Sequence, residues 1–163
     1  MTINNLWAPW RMRYIETEDE VSDCIFCVKP AQKLDTENLI LWRGESAFII
    51  MNKYPYNNGH LMVVPYRHLQ NITDLSEAES SEIHHLTGRC VTAMEKVLKA
   101  QGFNIGINLG RIAGAGIDQH IHYHVVPRWQ GDTNFMPVIG ASKVISQALE
   151  ESYQRLREEF THG

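Results

Sequence analysis

Three histidines stand at alternate positions in His120-Ile121-His122-Tyr123-His124-Val125-Val126. On a strand, side chains alternate faces, so all three imidazoles point the same way; on a helix the middle one would swing to the opposite side. The β-branched and aromatic residues between them favour a strand, expected from Gln119 to Val126. Imidazoles titrate near neutral pH, so such a row can move protons, attack an electrophile or bind a metal. Three uses stay open on these residues alone: a polar strand face without chemistry, a catalytic metal held by all three rings, or a nucleophilic histidine flanked by two orienting partners.

A second cluster of reactive side chains is Cys24-Ile25-Phe26-Cys27. A thioredoxin-type pair would follow a strand, and the acidic stretch from Glu16 to Glu20 disfavours that. A zinc knuckle needs two further ligands. His68, just past a strand expected to end before Pro65, is a natural third, and one member of the histidine row could be the fourth. Two unpaired thiols are the plainer alternative. Gly110-Arg111-Ile112-Ala113-Gly114-Ala115-Gly116 lacks a P-loop lysine, and it leads into a strand, which no dinucleotide fingerprint does. Its amides could face an anion, or it could be a simple hairpin loop. Cys90 reads as a small buried hydrophobe, and His84 and His85 as solvated. His162 reads as inert, and the role of His60 is open.

The elements that would position these residues are mostly strands. They are expected at Leu39–Arg43, Ala47–Asn52, Leu61–Val64, Phe103–Leu109 and Gln119–Val126. Ser76-Glu77-Ala78-Glu79 has the form of a capping box and opens a helix to about Ala100, with Gly102 as its C-cap. Ile83, Leu86, Cys90, Met94 and Val97 make its apolar stripe. A last helix is expected from Ser142 to Phe160. The stretch between Cys27 and Asn38 reads as polar. One helix inserted among strands and one appended suggest an α+β fold with an antiparallel sheet.

The chain has 163 residues, a length that suits one domain with a real core. The net charge of −4, without a dense basic block, argues against an extended nucleic-acid surface. It leaves room for a small phosphorylated ligand. Three cysteines do not make a disulfide framework. No apolar run reaches the roughly 18 residues of a membrane span, and the N-terminus does not read as a signal peptide, so the cytoplasm is the expected compartment. The aromatic arm over residues 1–23 is expected to pack on the body.

His120-Ile121-His122-Tyr123-His124-Val125-Val126 resembles the His-φ-His-φ-His-φ-φ signature of the histidine triad (HIT) superfamily of nucleotide-binding hydrolases and transferases. Gly59-His60-Leu61-Met62-Val63-Val64-Pro65 and Arg67-His68 are similar to that family's earlier strands. Leu6 to Arg11, Cys24 to Cys27 and Pro127 to Val138 look like its diadenosine polyphosphate phosphorylase/hydrolase branch. The resemblance implies an antiparallel sheet of about five strands with two helices, and a homodimer whose sheets join. It implies a nucleotide or dinucleotide substrate, with His122 as nucleophile through a nucleotidyl-histidine and His124 as hydrogen-bond or proton donor. It further implies substrate contacts from Asn52, Asn108, Gly114, Ala115, Gly116 and Gln119. Finally, it implies a structural zinc on Cys24, Cys27, His68 and His120. Nucleoside phosphoramidate hydrolysis, a metal-dependent hydrolase and a non-catalytic nucleotide-binding protein are the competing functions.

Overall fold

The computed structural model describes residues 24–132 and 149–162. The expected arm over residues 1–23 and the start of the last helix, residues 142–148, lie outside these. The described elements run α1 (Ile25–Ala31), β1 (Ile40–Arg43), β2 (Ala47–Met51), β3 (Leu61–Pro65), α2 (Glu77–Leu98), β4 (Gly102–Ile107), β5 (Tyr123–Arg128) and α3 (Leu149–His162). The strands form one five-stranded sheet in the order β1-β2-β3-β5-β4. Every neighbouring pair is antiparallel.

Strand alternation divides the apolar residues between two faces. Ala47, Ile49, Met51, Leu61, Val63 and Val125 pack against Ile83, Leu86, Cys90 and Met94 of α2 and Tyr153, Leu156 and Phe160 of α3. On the other face Phe48, Ile50, Met62 and Val64 join Ile40 and Phe26 of α1. His124 is paired with Met62, so it belongs to this second face. Helices α2 and α3 thus cover one face and leave the other to α1 and the histidines.

Helix α2 begins as expected. The Ser76 hydroxyl accepts from the Glu79 N–H, and the Glu79 carboxylate accepts from the Ser76 N–H. Its end differs: Lys99, not Gly102, takes the left-handed cap with φ 55°, and Gly102 opens β4 opposite Arg128. Residues 25–31 form α1, an element not among those expected from the sequence. The Cys24 carbonyl accepts from the Cys27 and Val28 N–H groups. A seven-residue helix with Pro30 inside it and no side-chain cap carries few of the usual helix signals.

The fifth strand starts later than expected, at Tyr123, so only His124 of the histidine row stands on the paired ladder. The next partners on β3 would be Val64 and Pro65, and proline has no N–H to give. The Ile121 N–H donates instead to the Leu69 carbonyl at 2.6 Å.

Candidate active site

The three rings of the row are buried: His120 is 0% exposed, His122 5% and His124 8%. Phe26 of α1 lies against two of them, with ring centroids 5.5 Å from His120 and 5.0 Å from His122. The His122 and His124 rings meet edge to face at 4.8 Å. Each ring has a different partner on its second nitrogen, and those partners assign the protons.

His122 Nδ1 lies 2.8 Å from the His120 carbonyl oxygen. A carbonyl only accepts, so Nδ1 carries the proton and Nε2 keeps its lone pair. Burial lowers the His122 pKa below the ordinary imidazole value, against the carbonyl, which raises it. The ring is therefore held neutral with a basic nitrogen, which is the state a nucleophile needs.

His124 is set by a relay that the sequence did not assign. The Tyr56 N–H donates to His60 Nδ1 at 3.1 Å, and the Asn52 amide nitrogen lies 3.3 Å from the same atom. His60 Nδ1 is thus an acceptor, and its proton sits on Nε2. That Nε2 lies 3.0 Å from His124 Nδ1 and donates to it. His124 consequently carries its own proton on Nε2, the nitrogen nearer Asn108. The Asn108 amide is 3.5 Å away, and its oxygen, with the amide turned over, is the matching acceptor. His60 is fully buried, and the Tyr56 ring covers both it and His124 at 4.6 and 5.4 Å. Gly106 faces His124 across the β4–β5 pair, and a side chain at Gly106 would meet open space. Open ground therefore adjoins the His124 ring.

His120 belongs to a different group. Its Nε2–H donates to the Pro65 carbonyl at 2.9 Å, which leaves Nδ1 with a lone pair. That atom lies 3.3 Å from Cys24 Sγ and 3.6 Å from Cys27 Sγ, while His68 Nδ1 lies 3.4 Å from Cys27 Sγ. The four ligand atoms all lie within 4.8 Å of one another. A tetrahedral zinc ion with bonds of about 2.3 Å to sulfur and about 2.0 Å to nitrogen sets sulfur–nitrogen separations of roughly 3.5 Å. The residues therefore fit such an ion. Among the described residues this is the only cluster that could hold a metal, and it takes one histidine of the row. His122 and His124 are not part of that cluster, which argues against a metal shared by all three. Helix α1 puts Cys24 and Cys27 one turn apart, and Arg67 anchors the loop carrying His68. Arg67 donates to Glu79 at 2.7 Å through both Nε and Nη2, and to the Asp74 carbonyl.

The expected substrate contacts fall into three positions. Asn52 is turned toward His60, with its side-chain oxygen accepting from the Tyr54 N–H. Asn108 stands beside His124. In the connector, Gly110 and Gly114 take positive φ around a short turn at Arg111–Ala113. The Gly114 and Ala115 N–H groups donate to the Arg111 and Gly110 carbonyls within that turn. Ala115 is buried, Gly116 half-buried and Gln119 exposed. Cys90 is buried in the α2 stripe, and His84 and His85 are exposed. Sequence reasoning missed the relay through His60. Its one signal is a histidine after Gly59, placed where β3 begins.

Comparison with known proteins agrees with this arrangement. The HIT domain pattern matches residues 33–131. An AP-4-A phosphorylase of Mycobacterium tuberculosis (strain H37Rv) is 41% identical over 97% of this chain and 85% of its own length. An asymmetrical bis(5'-nucleosyl)-tetraphosphatase of Schizosaccharomyces pombe is 29% identical over 61% of this chain and 54% of its own. Among solved structures, a zinc-bound histidine triad family protein from Mycobacterium smegmatis has a TM-score of 0.68 and 28% identity, covering 85% of this chain and 94% of that one. The chain belongs to the HIT family, and its five-stranded antiparallel sheet with helices is the α+β fold of that family.

Proposed function

We propose that this protein cleaves diadenosine polyphosphates, diadenosine tetraphosphate above all, by phosphorolysis through an adenylyl group carried on His122. The observation that carries the reading is the His122 tautomer: a neutral buried ring whose Nδ1–H is held by the His120 carbonyl and whose Nε2 is a lone pair. The likeness to an AP-4-A phosphorylase supplies the substrate class.

In the first step Nε2 of His122 attacks the α-phosphorus. A nitrogen–phosphorus bond forms, the bridging bond to the β-phosphate breaks, and ATP leaves. His124 Nε2–H, 4.8 Å away ring to ring, donates a hydrogen bond to the departing or non-bridging oxygen. In the second step inorganic phosphate attacks the adenylyl-histidine, which gives ADP and restores His122. Asn108 sits where it can share the phosphate with His124, and the exposed Gln119 is a lesser contact. The connector would contribute through the shape of Gly114, Ala115 and Gly116.

Cys24, Cys27, His68 and His120 would hold zinc in a closed structural site. Bound there, the ion ties α1 to the loop after β3 and to the histidine segment, and takes no part at phosphorus. The chain is read as one domain that pairs with a second copy along β4. That strand is a sheet edge, with Ile105 51% and Leu109 43% exposed on or beside it.

Product analysis tests the activity. Diadenosine tetraphosphate with inorganic phosphate should give ADP and ATP. No turnover with or without phosphate would overturn the proposal, and AMP formed whatever the phosphate level would overturn phosphorolysis.

A further inference from the structure

The relay that fixes the His124 proton depends on a loop, residues 53–59, with little regular structure of its own. What holds that loop is a pair of buried polar residues outside the histidine cluster. Asn57 is 7% exposed, and its amide donates to the Pro127 carbonyl at 3.0 Å and to Asp132 Oδ2 at 2.8 Å. The same Asp132 carboxylate accepts from the Trp129 N–H, and from Arg128 through Nε at 2.6 Å and Nη2 at 2.8 Å. Arg128 in turn donates to Asn104 of β4 at 2.8 Å. The neighbouring Asn58, 8% exposed, accepts from the buried Ser152 hydroxyl of α3 at 3.0 Å.

We propose that Asn57 and Asp132 form a positioning clamp for the reaction. They hold the Tyr56 N–H on His60 Nδ1, and through it the proton on His124 Nε2. The inference rests on the reading that His122 and His124 carry the chemistry. Tyr56 and Asn57 are adjacent, so the Asn57 anchor restrains the residue whose N–H selects the His60 tautomer. Gly59, with φ +70°, closes the loop where a side chain would run into Leu98. At its Asn57 end the loop is held by the two side-chain hydrogen bonds of Asn57. The clamp ties that end to the last residues of β5, the strand that also carries His124. One rigid strand end thereby sets both members of the relay. Asp132 itself touches neither histidine; it acts through Asn57 and Tyr56.

The test uses the full-length protein with Asn57→Ala, Asp132→Asn and Asp132→Ala, and Lys96→Ala as a control that breaks a surface ion pair elsewhere. Nitrogen-detected NMR of the histidine rings reads the tautomers. In the native protein His60 and His124 should both be protonated on Nε2, and in Asn57→Ala and Asp132→Ala that assignment should be lost. The kcat for diadenosine tetraphosphate should fall roughly ten- to a hundredfold in those two variants, as small misplacements of reacting groups do. KM should stay within about threefold. Asp132→Asn, which keeps an acceptor for Asn57, should lie between them and native protein. Joining Asn57→Ala to Asp132→Ala should cost no more than the worse single change. Unchanged tautomers, or kcat within about twofold of native in variants that fold, would overturn the clamp. Absence of turnover in the native protein would instead overturn the reading of function, while the ring spectra still decide the clamp.

Discussion

A buried imidazole offers either a proton or a lone pair at its free edge, and its other nitrogen decides which. In this protein backbone groups make that decision for all three rings of the row, directly or through His60. The His120 carbonyl leaves His122 a lone pair, the Pro65 carbonyl leaves His120 one, and the Tyr56 N–H, passed on by His60, leaves His124 a proton. Replacing His60 with alanine should therefore free the His124 ring to adopt either tautomer. The expected result is a loss in kcat of roughly tenfold or more with KM little changed, measured by steady-state kinetics. Gly106 predicts the reverse pattern. Gly106→Val would fill the open ground beside His124 and should raise KM more than it lowers kcat. The row and the metal-ligand candidates Cys24, Cys27 and His68 were legible in the residues, since alternation and Cys-x-x-Cys spacing are local signals, whereas His120 as the fourth came only with the family resemblance. The His60 relay was not legible, because it depends on a loop turning its amides inward. Asn52 shows the same limit: nothing in its local sequence marks the approach of its amide to His60.

At the scale of elements, the strands were readable because Ala47–Met51 and Leu61–Pro65 alternate between two apolar faces. The capping box on α2 was readable for the same local reason. Ser76→Ala should lower stability by about 1 kcal/mol, measured by denaturant unfolding. Glu79 makes a sharper prediction. The Arg67 guanidinium first, then the Ser76 N–H and hydroxyl, hold its carboxyl down to about 2 from 4.5. A depressed pKa contributes stability that is present above the unfolded value and lost as pH falls through the folded one. Native protein should thus lose this contribution between about pH 4.5 and pH 2. Glu79→Gln should be less stable at neutral pH and show a flatter acid limb in that window. An equally steep limb would contradict the assignment. Helix α1 and the late start of β5 were not legible. The first is too short to show periodicity, and the second depends on Pro65 of a distant strand running out of donors.

Across the whole molecule, helices α2 and α3 fill one face of the sheet, and the other carries α1, the metal-ligand cluster and the histidines. If zinc ties α1 to that face, metal analysis should find one ion per chain. Its removal by chelation should lower the unfolding temperature, and Cys27→Ala should do the same without added chelator. Among the described residues no helix is long and apolar enough to cross a membrane. The exposed edge at β4 should be covered by a second copy. Ile105→Lys would place a charge there and should shift sedimentation from dimer to monomer. The proposed function requires a bond between His122 Nε2 and phosphorus during turnover. It is tested most directly by mixing the protein with diadenosine tetraphosphate, quenching in alkaline denaturant and mapping the adduct by peptide mass spectrometry. One adenylyl group on His122, absent from His122→Ala along with activity, is the predicted result. Turnover without any adduct, or full activity in His122→Ala, would contradict it.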